Sequence, residues 1–65
     1  PEDESAALLS AVRALPEAYS AVIHLHYYEG YTFGEIAKIL HLSPSAVSMR
    51  VSRGRKELKE ILKEE

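Results

Sequence analysis

The chain has 65 residues, a net charge of −2 and no cysteine. That length makes one small domain whose core supplies only about 3–5 kcal/mol. The lack of Cys excludes disulfides and zinc–thiolate sites and suits a cytosolic protein. No apolar run approaches the ~18 residues of a membrane span, and no signal-peptide pattern is present. The chain starts at Pro1 instead of Met, so it reads as a piece of something longer. Gly and Pro fall between apolar segments and no strand-like alternation survives, so the class is all-α, one four-helix domain over residues 1–65.

The first helix is expected over Glu2 to Ala14. Glu2, Asp3 and Glu4 crowd its start, where they complement the helix dipole. Leu8, Leu9, Val12 and Leu15 supply its inward stripe. Leu15-Pro16-Glu17 then breaks and restarts the chain. Pro16 at the first helical position and Glu17 in the first turn open a second helix running to about Tyr28. Gly30 fits the position past its end, where positive φ is usually needed. Val22, Leu25 and Ala18 face one way, with Tyr19, Ile23 and Tyr27 beside them. His24 and His26 are two apart and do not share a helical face, and no third ligand stands at a useful spacing. They are read as surface or core-edge residues and no metal is expected. Tyr19, Tyr27, Tyr28 and Tyr31 precede the basic segment instead of interleaving with it. They are read as packing groups, not base-stacking platforms.

The stretch from Thr32 to Lys56 is the centre of the chain. Thr32 and Glu35 form a T-x-x-E capping box at the head of a short third helix, near 33–41. Ile36, Ala37, Ile39 and Leu40 give it an apolar face. Ser43 is a good N-cap and Pro44 a good first residue for the next helix, so a new helix starts just after the previous one stops. That short connection, with small Ala37 where the helices approach, predicts a helix-turn-helix whose second helix lies in the major groove of DNA.

The last helix is expected from Pro44 to about Lys63. Val47, Val51, Gly54, Leu58, Ile61 and Leu62 keep one stripe inward. Steps of about 100° put Ser45, Ser48, Met49, Ser52, Arg53 and Lys56 on the opposite side, with Arg50 and Arg55 on the flanks. Ser48, Met49, Ser52 and Arg53 are the candidate base-contacting residues. Ser43, Ser45, Arg50, Arg55 and Lys56 are the candidate backbone-contacting ones. Ser43 to Lys56 holds four cations and no acid, so a basic face is expected on an acidic domain, with a modest pull on phosphate. Across the domain Val22, Leu25, Ile36, Leu40, Leu42, Val47, Val51 and Leu58 are expected to be buried.

From Leu15 to Leu62 the sequence resembles region 4, the C-terminal region of bacterial RNA polymerase sigma factors, especially the extracytoplasmic-function group. The residues that carry the resemblance are Leu15-Pro16-Glu17, Tyr27-Tyr28-Glu29-Gly30, Glu35-Ile36-Ala37, Leu42-Ser43 and Ala46-Val47-Ser48-Met49-Arg50. The resemblance implies recognition of the minus-35 promoter element by the helix beginning at Pro44. It also implies double-stranded promoter DNA, the β-subunit flap of the polymerase core and an anti-sigma protein as partners, a cytoplasmic location, and a region 2 domain upstream. The family commonly has Arg near position 20, Thr and Lys at 46 and 48, Ser at 49, and Gly or Asn at 41. Here these are Ser20, Ala46, Ser48, Met49 and His41. The lost polar groups weaken DNA binding or change the sequence read, while His41 must take the left-handed conformation.

Two rivals follow from the same residues. One is a response-regulator-type helix-turn-helix, which the Leu-Pro-Glu opening and Arg53-x-Arg55 fit less well. The other is a protein-interaction module that keeps the fold without the DNA contact, which the net acidity, Ser20, Ser48 and Met49 favour. No enzyme, cofactor, membrane or small-molecule substrate is expected: the sequence lacks Cys and any nucleophile–base pair at plausible spacing.

Overall fold

The computed structural model describes residues 2–63, with side chains from residue 7 onward. The chain forms α1 (Glu2–Ala14), α2 (Glu17–Ile23) running into a π-helical turn (His24–Tyr28), α3 (Phe33–Leu40) and α4 (Pro44–Lys63). The side chains of Glu2, Asp3 and Glu4, and the dipole role expected of them, lie outside the described residues.

The helix starts follow from local chemistry. At α3 the Thr32 N–H donates to Glu35 Oε1 (2.9 Å) and the Glu35 N–H donates to Thr32 Oγ1 (3.1 Å), closing the reciprocal capping box. At α4 the Ala46 N–H donates to Ser43 Oγ (3.1 Å), and the helix begins at Pro44. Between them the chain turns in three residues, His41 to Ser43. His41 takes the left-handed conformation (φ 58, ψ 46) and its N–H donates to the Ala37 carbonyl. The Leu42 N–H donates to the same carbonyl at 2.8 Å. Pro16 departs from the expected placement. It caps α2 from outside (φ −52, ψ 143), and the helix starts one residue later at Glu17.

The end of α2 differs more. The Glu29 N–H donates to the His24 carbonyl, five residues back (3.2 Å), and the Tyr31 N–H donates to the Leu25 carbonyl (3.0 Å). One residue is thereby inserted into the last turn, and Gly30 at φ 80 reverses the chain. His26 Nδ1 lies 2.9 Å from the Tyr31 carbonyl. A carbonyl only accepts, so Nδ1 carries the hydrogen in either charge state of the ring. His26 also packs on Phe33, ring centroids 4.8 Å apart. The π-turn thus ties the end of α2 to the start of α3.

The core is Ala11, Val12 and Leu15 from α1 and its exit, Val22 and Ile23 from α2, Ile36 and Ala37 from α3, and Val47, Val51 and Leu58 from α4. Of the residues expected inside, Leu25, Leu40 and Leu42 are only half-buried at its edge. Leu8 (41% exposed), Ile39 (46%), Leu62 (37%) and Ala18 are exposed, contrary to the periodicity. Each lies on an apolar stripe at a point where no neighbouring helix covers it. Ala11 and Ile23 are buried instead, Ile23 against Gly54 of α4. Helix α4 packs on α2, α3 and α1 in turn and is the hub of the fold. Gly54 permits its approach to α2. A Cβ there would stand 3.1 Å from Ile23 Cγ1 and 3.3 Å from Tyr19 Cβ.

The capping box has a pH signature. The backbone hydrogen bond from Thr32, then its hydroxyl contact, hold the Glu35 carboxyl below its ordinary value of 4.5, with Lys38 adding a smaller pull. A carboxylate depressed in the folded state stabilises above its unfolded pKa, and the contribution is lost as pH falls through the folded value. Glu35→Gln keeps an acceptor but loses the charge. Its urea midpoint should fall below the parent's at pH 7, and the gap should narrow as the pH is lowered to 3. An equal gap at both would show that the cap does not depend on ionisation.

Candidate nucleic-acid interface

α3 and α4 make the helix-turn-helix, and the inward stripe of α4 fixes what its outer face presents. Val47, Val51, Gly54 and Leu58 are buried, which turns Ser45, Ser48, Met49, Ser52, Arg53 and Lys56 to solvent, with Met49 47% exposed. Arg55 is exposed on one flank and Arg50 half-buried on the other. The outer face therefore carries three serine hydroxyls, a flexible thioether and a guanidinium in the first three turns of the helix. Such a set can donate to base acceptors and touch a thymine methyl. Ser43 is partly committed. Its oxygen accepts the cap bond from Ala46 and lies 3.2 Å from Ser45 Oγ, so its hydroxyl hydrogen is free for a phosphate only when Ser45 is the donor of that pair.

One cation of the surface escaped the sequence reading. Lys59 lies one turn beyond Arg55 and lines, with Arg55, Lys56, Ser48 and Ser52, a cleft of about 330 Å³ against Phe33 at the start of α3. The same 100° steps that placed Lys56 reach Lys59, but only the fold shows that Phe33 closes the far side.

A second concavity is apolar. Leu8, Val12, Ile23, Tyr27, Tyr28 and Leu62 line a groove of about 390 Å³ between α1, the π-turn and the end of α4, with Arg55 and Lys59 at its edge. Tyr27 and Tyr28, expected to pack at the core edge, are 53% and 46% exposed there. The two histidines diverge: His24 Nε2 faces Glu29 Oε2 at 3.3 Å and His26 faces the Tyr31 carbonyl. Among the described residues no three His, Asp or Glu side chains are placed to hold a metal ion. No described helix is long and apolar enough to cross a membrane.

A capped short helix, a three-residue turn and a longer helix with a polar, cationic outer face define a small helix-turn-helix domain. The chain belongs to the sigma-70 region 4 family, whose model matches residues 5–58. That family is one of DNA-binding transcription domains and not of enzymes. The chain is also 31% identical over 61 residues to the RNA polymerase sigma factor SigZ of Bacillus subtilis (strain 168). The match covers 94% of this chain and 35% of that protein, so the chain spans about a third of the length of the curated relative it matches.

Proposed function

We propose that this chain is the region 4 domain of an extracytoplasmic-function sigma factor, acting in the cytoplasm, and that residues 1–65 work as one unit that recognises the minus-35 promoter element. The observation that carries the reading is the outer face of α4, turned to solvent by its buried stripe and joined to a capped α3 by a three-residue turn. Ser48, Met49, Ser52 and Arg53 meet base edges. Ser43, Ser45, Arg50, Arg55 and Lys56 meet the backbone. The net charge of −2 keeps the attraction small. The free domain should therefore bind duplex DNA in the range of about 10⁻⁴–10⁻⁶ M at physiological salt. Tethering to polymerase raises its local concentration at the promoter. Selecting duplexes from a random pool and titrating the survivors tests this. A selected sequence bound no better than a scrambled one would overturn promoter recognition, and nanomolar binding by the free monomer would overturn the weak-affinity reading.

A protein-facing role accompanies the DNA reading, favoured by the exposed Leu8, Tyr27, Tyr28 and Leu62 around the apolar groove. An apolar groove with cations at its edge suits a helix or loop of the RNA polymerase core, of which the β-subunit flap is the family's example. An anti-sigma protein would compete for the same surface.

A further inference from the structure

The outer face of α4 divides into two rows. Steps of about 100° per residue align Ser45, Ser48 and Ser52 in one row and Ala46, Met49 and Arg53 in the next. The first row presents only hydroxyls. The second is apolar at its start and cationic at its end. Met49 stands almost directly opposite the buried Val51 and Leu58, is 47% exposed and takes no part in the core. Ala46 is half-buried one turn before it, and the bond from its N–H to Ser43 Oγ fixes the start of the row. Met49 is the large apolar side chain of an outer face otherwise made of hydroxyls and cations.

We propose that Ala46 and Met49 read the C5-methyl group of a thymine in the major groove, one or two base pairs from the guanine that takes Arg53. The proposal rests on the DNA-binding reading above and names what this row of the face recognises. The floor of the major groove offers hydrogen-bonding groups from every base pair and one apolar group, the C5-methyl of thymine. A hydroxyl gains nothing from it, because a methyl neither donates nor accepts. A thioether does: it is apolar and polarisable, and its three rotatable bonds let it settle on a methyl without a fixed approach. Covering both groups removes apolar area from water, a gain that involves no phosphate charge. Spacing sets where the methyl lies. Met49 and Arg53 are four residues apart, about 6 Å along the helix. Base pairs are spaced about 3.4 Å along the duplex axis, so the two contacts fall about one or two base pairs apart.

The test uses the 65-residue chain and the duplex selected from the random pool. Each thymine on either strand is replaced in turn by uracil, which deletes one methyl group and leaves the hydrogen-bonding edge intact. Fluorescence anisotropy at two salt concentrations reads the affinity. One replacement, one or two base pairs from the guanine whose preference Arg53→Ala relaxes, should weaken binding about fourfold, the effect of one buried methyl-sized group. The loss should be equal at both salt concentrations, since no phosphate contact changes. Met49→Ser should bind the thymine and uracil duplexes alike. Met49→Leu, which restores an apolar side chain, should keep the difference. Position 49 is exposed, so both variants should melt with the parent. A selected sequence without such a thymine, equal affinity for every thymine and uracil duplex, or a difference that survives Met49→Ser overturns the proposal. Promoter recognition stands apart from these outcomes: it holds as long as the selected duplex is bound better than a scrambled one, and fails with the methyl reading when it is not.

Discussion

Gly54→Val should destabilise the domain by about 1–3 kcal/mol or more and lower its melting midpoint accordingly. Gly54 is buried where α4 crosses α2, and a Cβ there would already stand 3.1 and 3.3 Å from Ile23 and 3.3 Å from Tyr19 Cβ. Ile23 is itself 2% exposed, so it has nowhere to go. Valine adds two further carbons on a χ1 that a helix leaves almost no freedom. Overpacking of this kind costs about 1–3 kcal/mol and occasionally more, against roughly 3–5 kcal/mol for a core of this size. Gly54→Ala is the informative control. Its gain in helix propensity, about 1 kcal/mol, opposes the milder crowding, so it should stay within about 1 kcal/mol of the parent. Melting followed by circular dichroism reads both. For a domain this small 1 kcal/mol moves the midpoint by about 4–8 °C. A Gly54→Val midpoint inside that window would mean that α2 and α4 are not held at contact distance.

Arg53→Ala and Arg55→Ala should fail in different ways. Arg53 is exposed one turn beyond Met49, on the outer face, where a guanidinium can donate two hydrogen bonds to guanine O6 and N7. Its loss should cost about 1–3 kcal/mol on the selected sequence and relax preference at one base pair. Arg55 stands on the flank beside Lys59, in the basic cleft. Its loss should weaken all duplexes alike and make the salt slope shallower by about one unit. Titration of both variants against selected and scrambled duplexes at several salt concentrations separates the roles. Equal losses on both duplexes for Arg53→Ala, with a changed base preference for Arg55→Ala, would exchange them. No effect from either would mean that α4 does not face DNA.

The features legible in the sequence are those whose causes lie within a few residues. Thr32 and Glu35 are three apart and bond each other directly, and Ser43 reaches the Ala46 amide across the same distance. Gly30 and His41 supply the two positive-φ turns that end helices, and the outer face of α4 follows from its own apolar stripe. Periodicity locates an apolar face, but which part of that face meets a neighbour depends on where other helices cross it. Leu8, Ile39 and Leu62 therefore looked like core residues and are exposed, while Ala11 and Ile23 are inside. The π-turn was equally hidden. It is held by bonds from Glu29 to His24 and from Tyr31 to Leu25, the second of which spans the reversal at Gly30. The basic cleft needs Phe33 beside the flank of a helix whose Lys59 is far away in sequence. Capping, turns and faces are short-range and are written in the order of residues. Burial and the shape of the binding surface are set by contacts between distant segments, and only the folded chain brings those together.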